Sequence, residues 1–533
     1  MTRTSRIGLS LAFAALFALS FAFRAGDVRF DVGVVAAWFA FAPLWLLIRG
    51  QPARVAFWRT FLAAWLGYAC VFWWLFIVIT VFGRAPAAAG FAGTVTVAAY
   101  CALCSGAGAA LAAALAPYAG RAAPLLLPAA WILADRVRAL ESVAAFPWAF
   151  LGYAAHADAP LRGVASLTGV YGLSFAFALG GVLLAERRIA AALALVAGLH
   201  ALGWLALPGA LAASPPARVA MIQGNIPQSE KWDPAFEAQN FSAQLELTRS
   251  ALEQHPDLIL WPEAGFPGFL LTPDQDPKFP FLAESQLAFR DPLLALSREN
   301  HVPLLIGALG ITVVPRQRMP LLHNSVFAIS PEEGLSDRHD KTVLVPFGEY
   351  VPLRALFGSL QAVASGLADV GDLTPGESVR QLRGLGRVGA EYAPALLICY
   401  EVVYPGVVNR AVRDGARLLL NTTNDAWYGR SSAPHQFLDI AKLRSAEHGL
   451  PMLRDANTGV TAVIDASGAV LEETPIFERR LLMVDVPPAR AGATVYTRLG
   501  DWPLAVSGAL LSGCAVLALV TRVRRRSSPS TSP

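Results

Sequence analysis

Three side chains with complementary chemistry end or flank apolar stretches in the second half of the chain. Glu263 closes Leu258-Ile-Leu-Trp-Pro, Lys341 opens Lys-Thr-Val-Leu-Val, and Cys399 closes Leu396-Leu-Ile. A thiol attacks an ester or amide carbonyl once a base removes its proton, a carboxylate is such a base, and an ammonium group stabilises the developing oxyanion. Taken singly, they would also suit a structural thiol, a paired carboxylate and a solvated lysine. Together they predict acyl transfer on a cysteine.

The elements that must position these groups alternate between strands and helices. The predicted strands are Arg218–Gln223, Asp257–Trp261, Leu304–Leu309, Ser325–Ile329, Ala395–Ile398, Arg417–Asn421, Thr461–Ile464 and Leu481–Val486. The predicted helices are Phe236–Gln254, Pro292–Asn300, Val403–Asp414 and Gln436–Glu447. Apolar strands interleaved with helices predict an α/β domain of two sheets covered by helices.

The rest of the chain is too apolar for an ordinary soluble protein, with 55% hydrophobic and 15% charged residues and a mean hydropathy of +0.47. A bilayer core of about 30 Å needs about 20 apolar residues per helix. This length predicts eight spans, at 7–23, 32–48, 57–82, 88–116, 122–140, 163–185, 189–208 and 502–521. The predicted organisation is a transmembrane α-helical bundle over 1–212, a soluble domain over 216–490, a C-terminal helix over 500–522 and a tail over 523–533.

Arginine clusters mark alternate loops and both ends of the chain. They are Arg3 and Arg6; Arg49, Arg54 and Arg59; Arg121; Arg187 and Arg188; and Arg522, Arg524, Arg525 and Arg526. Positive residues favour the cytoplasmic side, so both termini are expected there, in a multi-pass protein of a bacterial inner membrane. Seven spans then place the soluble domain in the periplasm. The first apolar run lacks a cleavage site and is interpreted as a retained helix. Charges at 135–141 break the pattern and are expected to face a protein interior.

The sequence shows no pattern typical of nucleic-acid, metal or nucleotide binding. The net charge is only +4, and the basic residues form no stripe interleaved with aromatic residues. The eight histidines are not spaced as metal ligands. No glycine-rich loop is suited to cradle a phosphate. Four of the five cysteines lie in predicted spans, where Cys101-x-x-Cys104 suits helix packing, so Cys399 is the one thiol of the soluble domain. No cofactor is expected.

Glu, Lys and Cys in this order, each at an apolar strand, resemble the nitrilase, or carbon-nitrogen hydrolase, superfamily. Its two most recognisable pieces are Trp261-Pro-Glu263 and Cys399-Tyr-Glu401. Within that superfamily, the flanking spans and further motifs are similar to the apolipoprotein N-acyltransferase family. Those motifs are Gln223–Gln228 with Lys231-Trp232, Leu344–Pro352, Asn421–Trp427 and Phe146-Pro-Trp148. The resemblance covers essentially the whole chain.

The resemblance implies an αββα sandwich and a two-step reaction. Glu263 would be the general base for Cys399, which attacks a phospholipid acyl ester, while Lys341 and the backbone N–H near Tyr400 hold the oxyanion. Glu349 and Glu401 would orient Lys341 and support the site. The acceptor would be the α-amino group of a diacylglyceryl-cysteine at the N-terminus of a lipoprotein, and the enzyme would act as a monomer.

Because both substrates keep their acyl chains in lipid, the site is expected to open near the bilayer surface. Aromatic side chains suit the boundary between water and hydrocarbon. The candidates for lining this entrance are Trp232, Phe347, Trp427 and Tyr428, with Trp148 supporting the lipid-facing side. Core packing is the competing interpretation for each. The segment Gly265–Ser285 is long and rich in proline, so its geometry does not follow from the resemblance.

Three other functions fit parts of the sequence. A membrane-anchored nitrilase-like amidase would use the same thioester and pass it to water, but would have no use for eight helices. A transporter or binding protein with a degenerate domain is disfavoured because the predicted spans hold few internal charges or Pro/Gly breaks of the kind that form ion or substrate paths. A Cys-His protease would pair Cys399 with His339 or His435, yet neither histidine lies in a recognisable protease motif.

Overall fold

The computed structural model describes residues 2–25, 28–141, 145–209, 211–212, 215–272, 274–315, 319–351, 372–379 and 381–527. The end of the predicted tail, residues 528–533, and the last residue of the motif Leu344–Pro352 lie outside this range. The chain divides into two compact units. The first unit comprises Met1–Trp73, Phe91–Leu207 and Leu499–Pro533, and the second unit comprises Trp74–Gly90 and Pro208–Arg498.

The first unit is built from apolar helices. Its long helices are Arg3–Leu19, Gly33–Ile48, Ala53–Val71, Ala87–Ala119, Ala123–Arg138, Ala159–Ala185, Ile189–Ala206 and Trp502–Ser527. Short connecting elements are the hairpin of β1 (Phe23–Ala25) and β2 (Val28–Phe30) and the 3-10 turns Gly120–Ala122 and Leu151–Ala157.

Several of these helices are suited to a membrane by length and composition. Among the described residues, four stretches are long and apolar enough to cross one: Ala87–Arg138, Ala159–Ala185, Ile189–Ala206 and Trp502–Arg524. A fifth is obtained when the consecutive helices Ala53–Val71 and Trp74–Phe82 are taken together. Gly33–Ile48 is apolar but shorter. The first unit therefore has the helices of a membrane protein, and the count of eight spans stays a prediction.

The stretch Ala87–Arg138 is a helical hairpin. A Cβ on Gly108 would lie 2.9 Å from the carbonyl oxygen of Ala130, although the two residues would be about 33 Å apart in one straight helix. The reversal occurs at the 3-10 turn Gly120–Ala122, where Gly120 has a φ of +52°, a left-handed conformation that glycine adopts without steric cost. The sequence prediction of two segments here, 88–116 and 122–140, agrees with this hairpin.

Two of the four charged residues near the end of this hairpin, Asp135 and Arg138, are buried in the first unit, whereas Arg136 is partly exposed and Glu141 is exposed. Arg138 is fully buried and donates from Nη2 to Asp135 at 2.5 Å. Its Nη1 donates to the carbonyl oxygen of Trp148 at 2.9 Å and to that of Phe146 at 3.3 Å. The motif Phe146-Pro-Trp148 is thus fixed by a buried guanidinium group, as expected for charges that do not face lipid.

The second unit contains a six-stranded sheet with the order β13-β3-β4-β5-β6-β7. Its strands are β3 (Arg218–Gln223), β4 (Leu258–Leu260), β5 (Leu304–Thr312), β6 (Leu321–Ser330), β7 (Gly334–Asp340) and β13 (Arg480–Asp485). Strands β3, β4 and β5 are parallel, β13 pairs antiparallel with β3, β6 pairs antiparallel with β5, and β7 pairs antiparallel with β6. Parallel pairing brings the carboxyl ends of β3 and β4 to one edge, where Glu263 follows.

A second sheet of five strands has the order β12-β11-β10-β9-β8. Its strands are β8 (Pro394–Ile398), β9 (Leu418–Thr423), β10 (Met452–Ala456), β11 (Ala462–Ile464) and β12 (Val470–Glu473). Strands β8, β9 and β10 are parallel. Thr422 on the middle strand, β9, lies between Ile398 on β8 and Asp455 on β10. Cys399 follows β8 directly.

Both faces of each central sheet are covered. Along β3, Ala220 and Ile222 join a core with helix Glu237–Leu252 and helix Pro280–Asn300, while the alternate residues Val219 and Met221 are also fully buried. Strand β3 lies against β10 of the other sheet. Helices Pro405–Arg413 and Ala433–His448 pack beside the five-stranded sheet. The layers follow the order helix, sheet, sheet, helix, which confirms the predicted α/β class. Two shorter helices, Gly386–Tyr392 and Val495–Leu499, also lie in this unit.

The sequence prediction misses three strands of the second unit. Strand β7 reads Gly-Leu-Ser-Asp-Arg-His-Asp and shows no apolar run, while β12 is short and largely exposed. Strand β10 contains Arg454 and Asp455, which resemble loop residues although both are fully buried. Buried charges in a central strand require tertiary partners, which a local pattern does not show.

The segment Trp74–Gly90 belongs to the second unit, although the sequence analysis divided it between two predicted spans. It begins with the short helix Trp74–Ile77 and a π-helical turn, Val78–Phe82, and ends in the first turn of the helix Ala87–Ala119. Trp74 packs edge-to-face on Tyr428 and Phe82 on Trp427. Its contacts with residues after β9 explain this grouping.

Candidate active site

Cys399 occupies a strained elbow between β8 and a 3-10 turn, Cys399–Val403. Its φ of +51° lies in the left-handed region, which costs a non-glycine residue free energy and is held only where the surroundings fix it. Asn421 on the neighbouring strand donates from Nδ2 to the carbonyl oxygen of Leu397 at 2.9 Å and to that of Cys399 at 3.5 Å. The elbow therefore presents a buried thiol, 7% exposed, at the end of a central strand.

Glu263 lies two residues beyond Trp261, whose side chain anchors the end of β4 by donating from Nε1 to Thr248 at 2.9 Å. Its Oε1 accepts from Asn324 at 2.7 Å and from the Lys341 ammonium at 3.2 Å. Its Oε2 accepts from the backbone N–H of Asn424 at 2.8 Å. The carboxylate is thus held from three sides, which fixes its direction.

Lys341 directly follows β7 and is 1% exposed. Its Nζ donates to Oε1 of Glu349 at 2.9 Å in addition to Glu263. Asn324 donates to the same oxygen of Glu349 at 2.7 Å. Glu263, Lys341, Glu349 and Asn324 therefore form a closed ring of hydrogen bonds, in which one ammonium and one amide are shared by two carboxylates.

The charges around the thiol act in opposite directions. Burial, reinforced by Glu263, raises the pKa of the Cys399 thiol well above its usual range, while Lys341 lowers it. Burial alone would lower the pKa of Lys341, but Glu263 and Glu349 outweigh burial and raise it well above the ordinary value. The resting thiol is therefore protonated and the ammonium is charged. Attack by sulfur then requires a base to take the proton at that moment.

Glu401 connects the cysteine strand to the lysine strand. It is fully buried, and its Oε2 accepts from the backbone N–H of Ile398 at 2.6 Å. Its Oε1 accepts from the N–H and the hydroxyl of Thr342, at 2.6 and 2.5 Å. Burial would raise its pKa, but His339 and these donors outweigh burial and hold the pKa of Glu401 below its usual value. This carboxylate touches the neighbours of Cys399 and Lys341 and so fixes both.

An amide network that the sequence analysis did not assign supports Glu263 from the side of β3. Asn424, whose N–H contacts Glu263, donates from Nδ2 to Gln228 at 2.8 Å and accepts from Asn457 at 3.0 Å. Asn457 also holds the N–H and carbonyl of Ile226 at 2.9 and 2.8 Å. The motif Gln223–Gln228 was noted in the sequence, but this function follows only from contacts with residues about two hundred positions away.

A buried ion pair lies behind the thiol. Arg454 donates from Nη2 to Asp425 at 2.8 Å and also bonds Asn421. Asp425 accepts from the hydroxyl of Thr423 at 2.9 Å, and the side chain of Thr423 acts to lower the pKa of the Cys399 thiol, against the larger effect of burial. Arg454 stacks over the ring of Phe437, with 4.3 Å from its Cζ to the centroid. This chain of contacts fixes the cysteine side of the site.

Four of the aromatic candidates lie in the second unit. Phe347 is 45% exposed at the tip of the turn that carries Glu349 and has a φ of +61°. Tyr428 is near the thiol, and burial together with Cys399 raises the pKa of Tyr428 well above its usual value. Trp427 contacts Phe82, and Trp232 packs beside Leu344. Trp148 is buried in the first unit.

The structure also locates residues that bear on the alternative chemistries. No group of three or more His, Cys, Asp or Glu side chains among those residues is arranged to hold a metal ion. His339, one of two histidines considered for a protease, lies 3.7 Å from Glu401. Glu263 and Lys341, together with Asp425, act electrostatically on the thiol.

Solved structures similar to this chain include members of the nitrilase superfamily. An amidase from Nesterenkonia sp. is 22% identical, with a TM-score of 0.34, covering 52% of this chain and 93% of the amidase. A Saccharomyces cerevisiae member of the superfamily is 16% identical, with a TM-score of 0.36, covering 52% of this chain and 93% of that protein.

The two family models together, and each of the relatives, match more of the chain than these structures do. The carbon-nitrogen hydrolase model matches residues 218–496, and the model of the apolipoprotein N-acyltransferase N-terminal domain matches residues 10–183. An apolipoprotein N-acyltransferase of Geobacter metallireducens is 35% identical over 92% of this chain and 91% of its own length. An apolipoprotein N-acyltransferase of Azotobacter vinelandii is 35% identical over 96% of this chain and 94% of its own length. The chain belongs to the apolipoprotein N-acyltransferase family.

Proposed function

We propose that this protein transfers a fatty acyl chain from a phospholipid to the α-amino group of an N-terminal diacylglyceryl-cysteine of a lipoprotein, through a thioester on Cys399. The observation that carries the chemistry is the hydrogen-bonded ring of Glu263, Lys341, Glu349 and Asn324 beside a thiol on a strained elbow. The family of the chain and its apolar helices support a lipid donor and a lipidated acceptor.

In the first step, Glu263 takes the thiol proton as Sγ of Cys399 bonds to the carbonyl carbon of the acyl ester. Lys341 and the backbone N–H of Tyr400 stabilise the oxyanion. The ester C–O bond then breaks, and Glu263 returns the proton to the leaving oxygen of the lysophospholipid. Because burial and Glu263 keep the thiol protonated at rest, sulfur becomes nucleophilic only with substrate in place.

In the second step, the free amine of the acceptor attacks the thioester carbon. Glu263 takes a proton from the nitrogen, Lys341 again faces the oxyanion, and the C–S bond breaks. The proton passes to the departing sulfur of Cys399, which restores the enzyme. Glu349 and Asn324 hold Lys341 and Glu263 in place through both steps, and Glu401 fixes the residues beside Cys399 and Lys341.

Trp232, Phe347, Trp427 and Tyr428 are proposed to contact the acyl chains, because they surround the turns that carry the site and suit a lipid boundary. The same role for Trp148 stays a prediction. We further propose eight spans, with both termini in the cytoplasm and the second unit in the periplasm as a monomeric enzyme. A helix lies in each predicted stretch, and the arginine clusters lie at helix ends, such as Arg49 and Arg121.

The test is acylation of a synthetic diacylglyceryl lipopeptide by the purified full chain in phospholipid micelles. We expect the peptide to gain one acyl mass in an amide bond that resists hydroxylamine. An otherwise identical lipopeptide with an acetylated α-amino group and the variant Cys399→Ala serve as controls and should give no product. Hydrolysis of short amides without lipopeptide acylation would overturn the proposal in favour of the amidase.

A further inference from the structure

Lys231 is a second lysine at the candidate base. It lies in a turn after β3, where its backbone N–H donates to the carbonyl oxygen of Pro227 at 3.1 Å, and it is 4% exposed. Its Nζ donates to the main-chain carbonyl oxygen of Glu263 at 3.1 Å. Lys341 contacts the carboxylate of the same residue, so two ammonium groups approach Glu263 from different sides.

The carbonyl that Lys231 contacts belongs to a strained turn. Ala264 has a φ of +48°, and the N–H of Gly265 donates to Pro262 at 3.0 Å, which closes a tight turn around Glu263. The turn presses on β5, since a Cβ on Gly307 would lie 2.1 Å from the carbonyl oxygen of Pro262. A left-handed alanine costs free energy, so partners must hold this turn in place. Lys231 is such a partner.

Burying the charged ammonium group of Lys231 costs more desolvation free energy than a single hydrogen bond to a carbonyl oxygen offsets. An ammonium group has three donors, and the carbonyl of Glu263 is the one acceptor that its Nζ meets among the described residues. Burial lowers the pKa of Lys231 to about 8, and the negative charge of Glu263 opposes that decrease. An ion that is buried with few hydrogen bonds is expected where its charge serves the chemistry.

We propose that Lys231 is a positioning residue of the acyl-transfer site, which fixes the Glu263 turn and supplies the second positive charge beside the base. With Lys231 charged, the carboxylates of Glu263 and Glu349 are balanced by two ammonium groups. These four groups together then carry no net charge before the proton passes from Cys399 to Glu263. This inference rests on the proposed thioester mechanism.

The role of Lys231 predicts a specific pH dependence of thioester formation. Glu263 is the charged group that acts on Lys231, and Lys341, on the other side of Glu263, stays charged because its own pKa is raised. As the pH rises through about 8, Lys231 loses its proton. The rate of acyl-enzyme formation should therefore decrease in that range.

The experiment is rapid-quench mass spectrometry of acyl-enzyme formation from phospholipid between pH 6 and 9.5, on the full chain. Lys231→Met should be about 10- to 100-fold slower at neutral pH, since small displacements of a base cost rate of this order. It should also lose the decrease above pH 8. Lys231→Arg stays charged and should retain much of the rate without that decrease. Lys278→Met, at a half-exposed lysine, is the matched control and should behave as wild type.

Equal rates and equal pH profiles for Lys231→Met and wild type would overturn the inference. If Lys231→Met does not fold, Lys231→Arg decides, because an unchanged decrease above pH 8 in that variant would also overturn it. Absence of any acyl adduct on the wild-type chain would instead refute the proposed function, so the two failures are distinguishable.

Discussion

The substitution Glu401→Gln removes one negative charge from the carboxylate that joins the cysteine elbow to the lysine strand. In the native chain this carboxylate accepts from the N–H of Ile398 and from both donors of Thr342, at 2.5 to 2.6 Å. A glutamine side chain has a single carbonyl oxygen, so its NH2 group must face at least one of these donors. The variant therefore loses a hydrogen bond and places donor against donor.

The magnitude follows from the hydrogen bonds that the substitution removes. A hydrogen bond to a charged group contributes about 1.5–3 kcal/mol, and a buried donor left without a partner costs about 1–3 kcal/mol. We expect the free energy of unfolding to fall by about 3 kcal/mol in total. At about 2–4 °C per kcal/mol, this lowers the thermal midpoint by about 6–12 °C. The acyl-transfer rate should also fall by about 100-fold, since the elbow of Cys399 is displaced.

The assay is thermal unfolding and acyl transfer by the full chain in detergent, with Glu333→Gln, at an exposed glutamate, as the control. The stability difference should also depend on pH. Because folding lowers the pKa of Glu401, its contribution is present above the unfolded value of about 4.3 and is lost as the pH falls through the folded value. A variant as stable and as active as wild type at pH 7 would refute the role assigned to Glu401.

Two further predictions test the surroundings of the thiol. Lys341→Met removes the cation that lowers the pKa of the Cys399 thiol, so alkylation of Cys399 by iodoacetamide at pH 8 should slow by about tenfold or more. Lys278→Met is the control and should leave the alkylation rate unchanged. An unchanged rate in Lys341→Met would contradict the electrostatic account. Gly459→Ala places a methyl group 2.1 Å from Oδ2 of Asp425, which should separate the ion pair between Asp425 and Arg454. The free energy of unfolding, measured by thermal melts, should then fall by about 3–5 kcal/mol. Gly508→Ala is the control, because a Cβ there would meet no described atom within 4 Å apart from the neighbouring backbone of its own helix. Equal melting of the two variants would exclude the clash.

The strands that carry Glu263 and Cys399 were predictable because their residues are apolar on both faces. Strand β4, Leu258–Leu260, lies within the predicted strand Asp257–Trp261, and β8 differs from its prediction by one residue. A central parallel strand buried on both sides gives a continuous apolar run, which ends where the chain turns to a polar group. For the same reason, the sequence placed these two groups at strand ends.

Three members of the ring, Glu263, Lys341 and Glu349, were named from the sequence, but Asn324 and the hydrogen bonds that close the ring were not predictable from it. Asn324 lies 61 positions from Glu263, and Thr342 lies 59 positions from Glu401. No local period relates residues so far apart, and the contacts depend on the order of strands in the sheet. Strand β10 was missed for a related reason, because the partner of Arg454 lies on the loop after β9.

The central claim is that Cys399 carries the acyl group, and intact-mass analysis after incubation with phospholipid alone tests it most directly. We expect wild type to gain one fatty-acyl mass that hydroxylamine removes, and we expect Cys399→Ala to gain none. Cys399→Ser should form an oxygen ester slowly, which distinguishes acylation at this position from a thioester that requires the thiol. Acylation of a lipopeptide by Cys399→Ala, or by wild type under conditions in which no adduct forms at any time, would contradict the account.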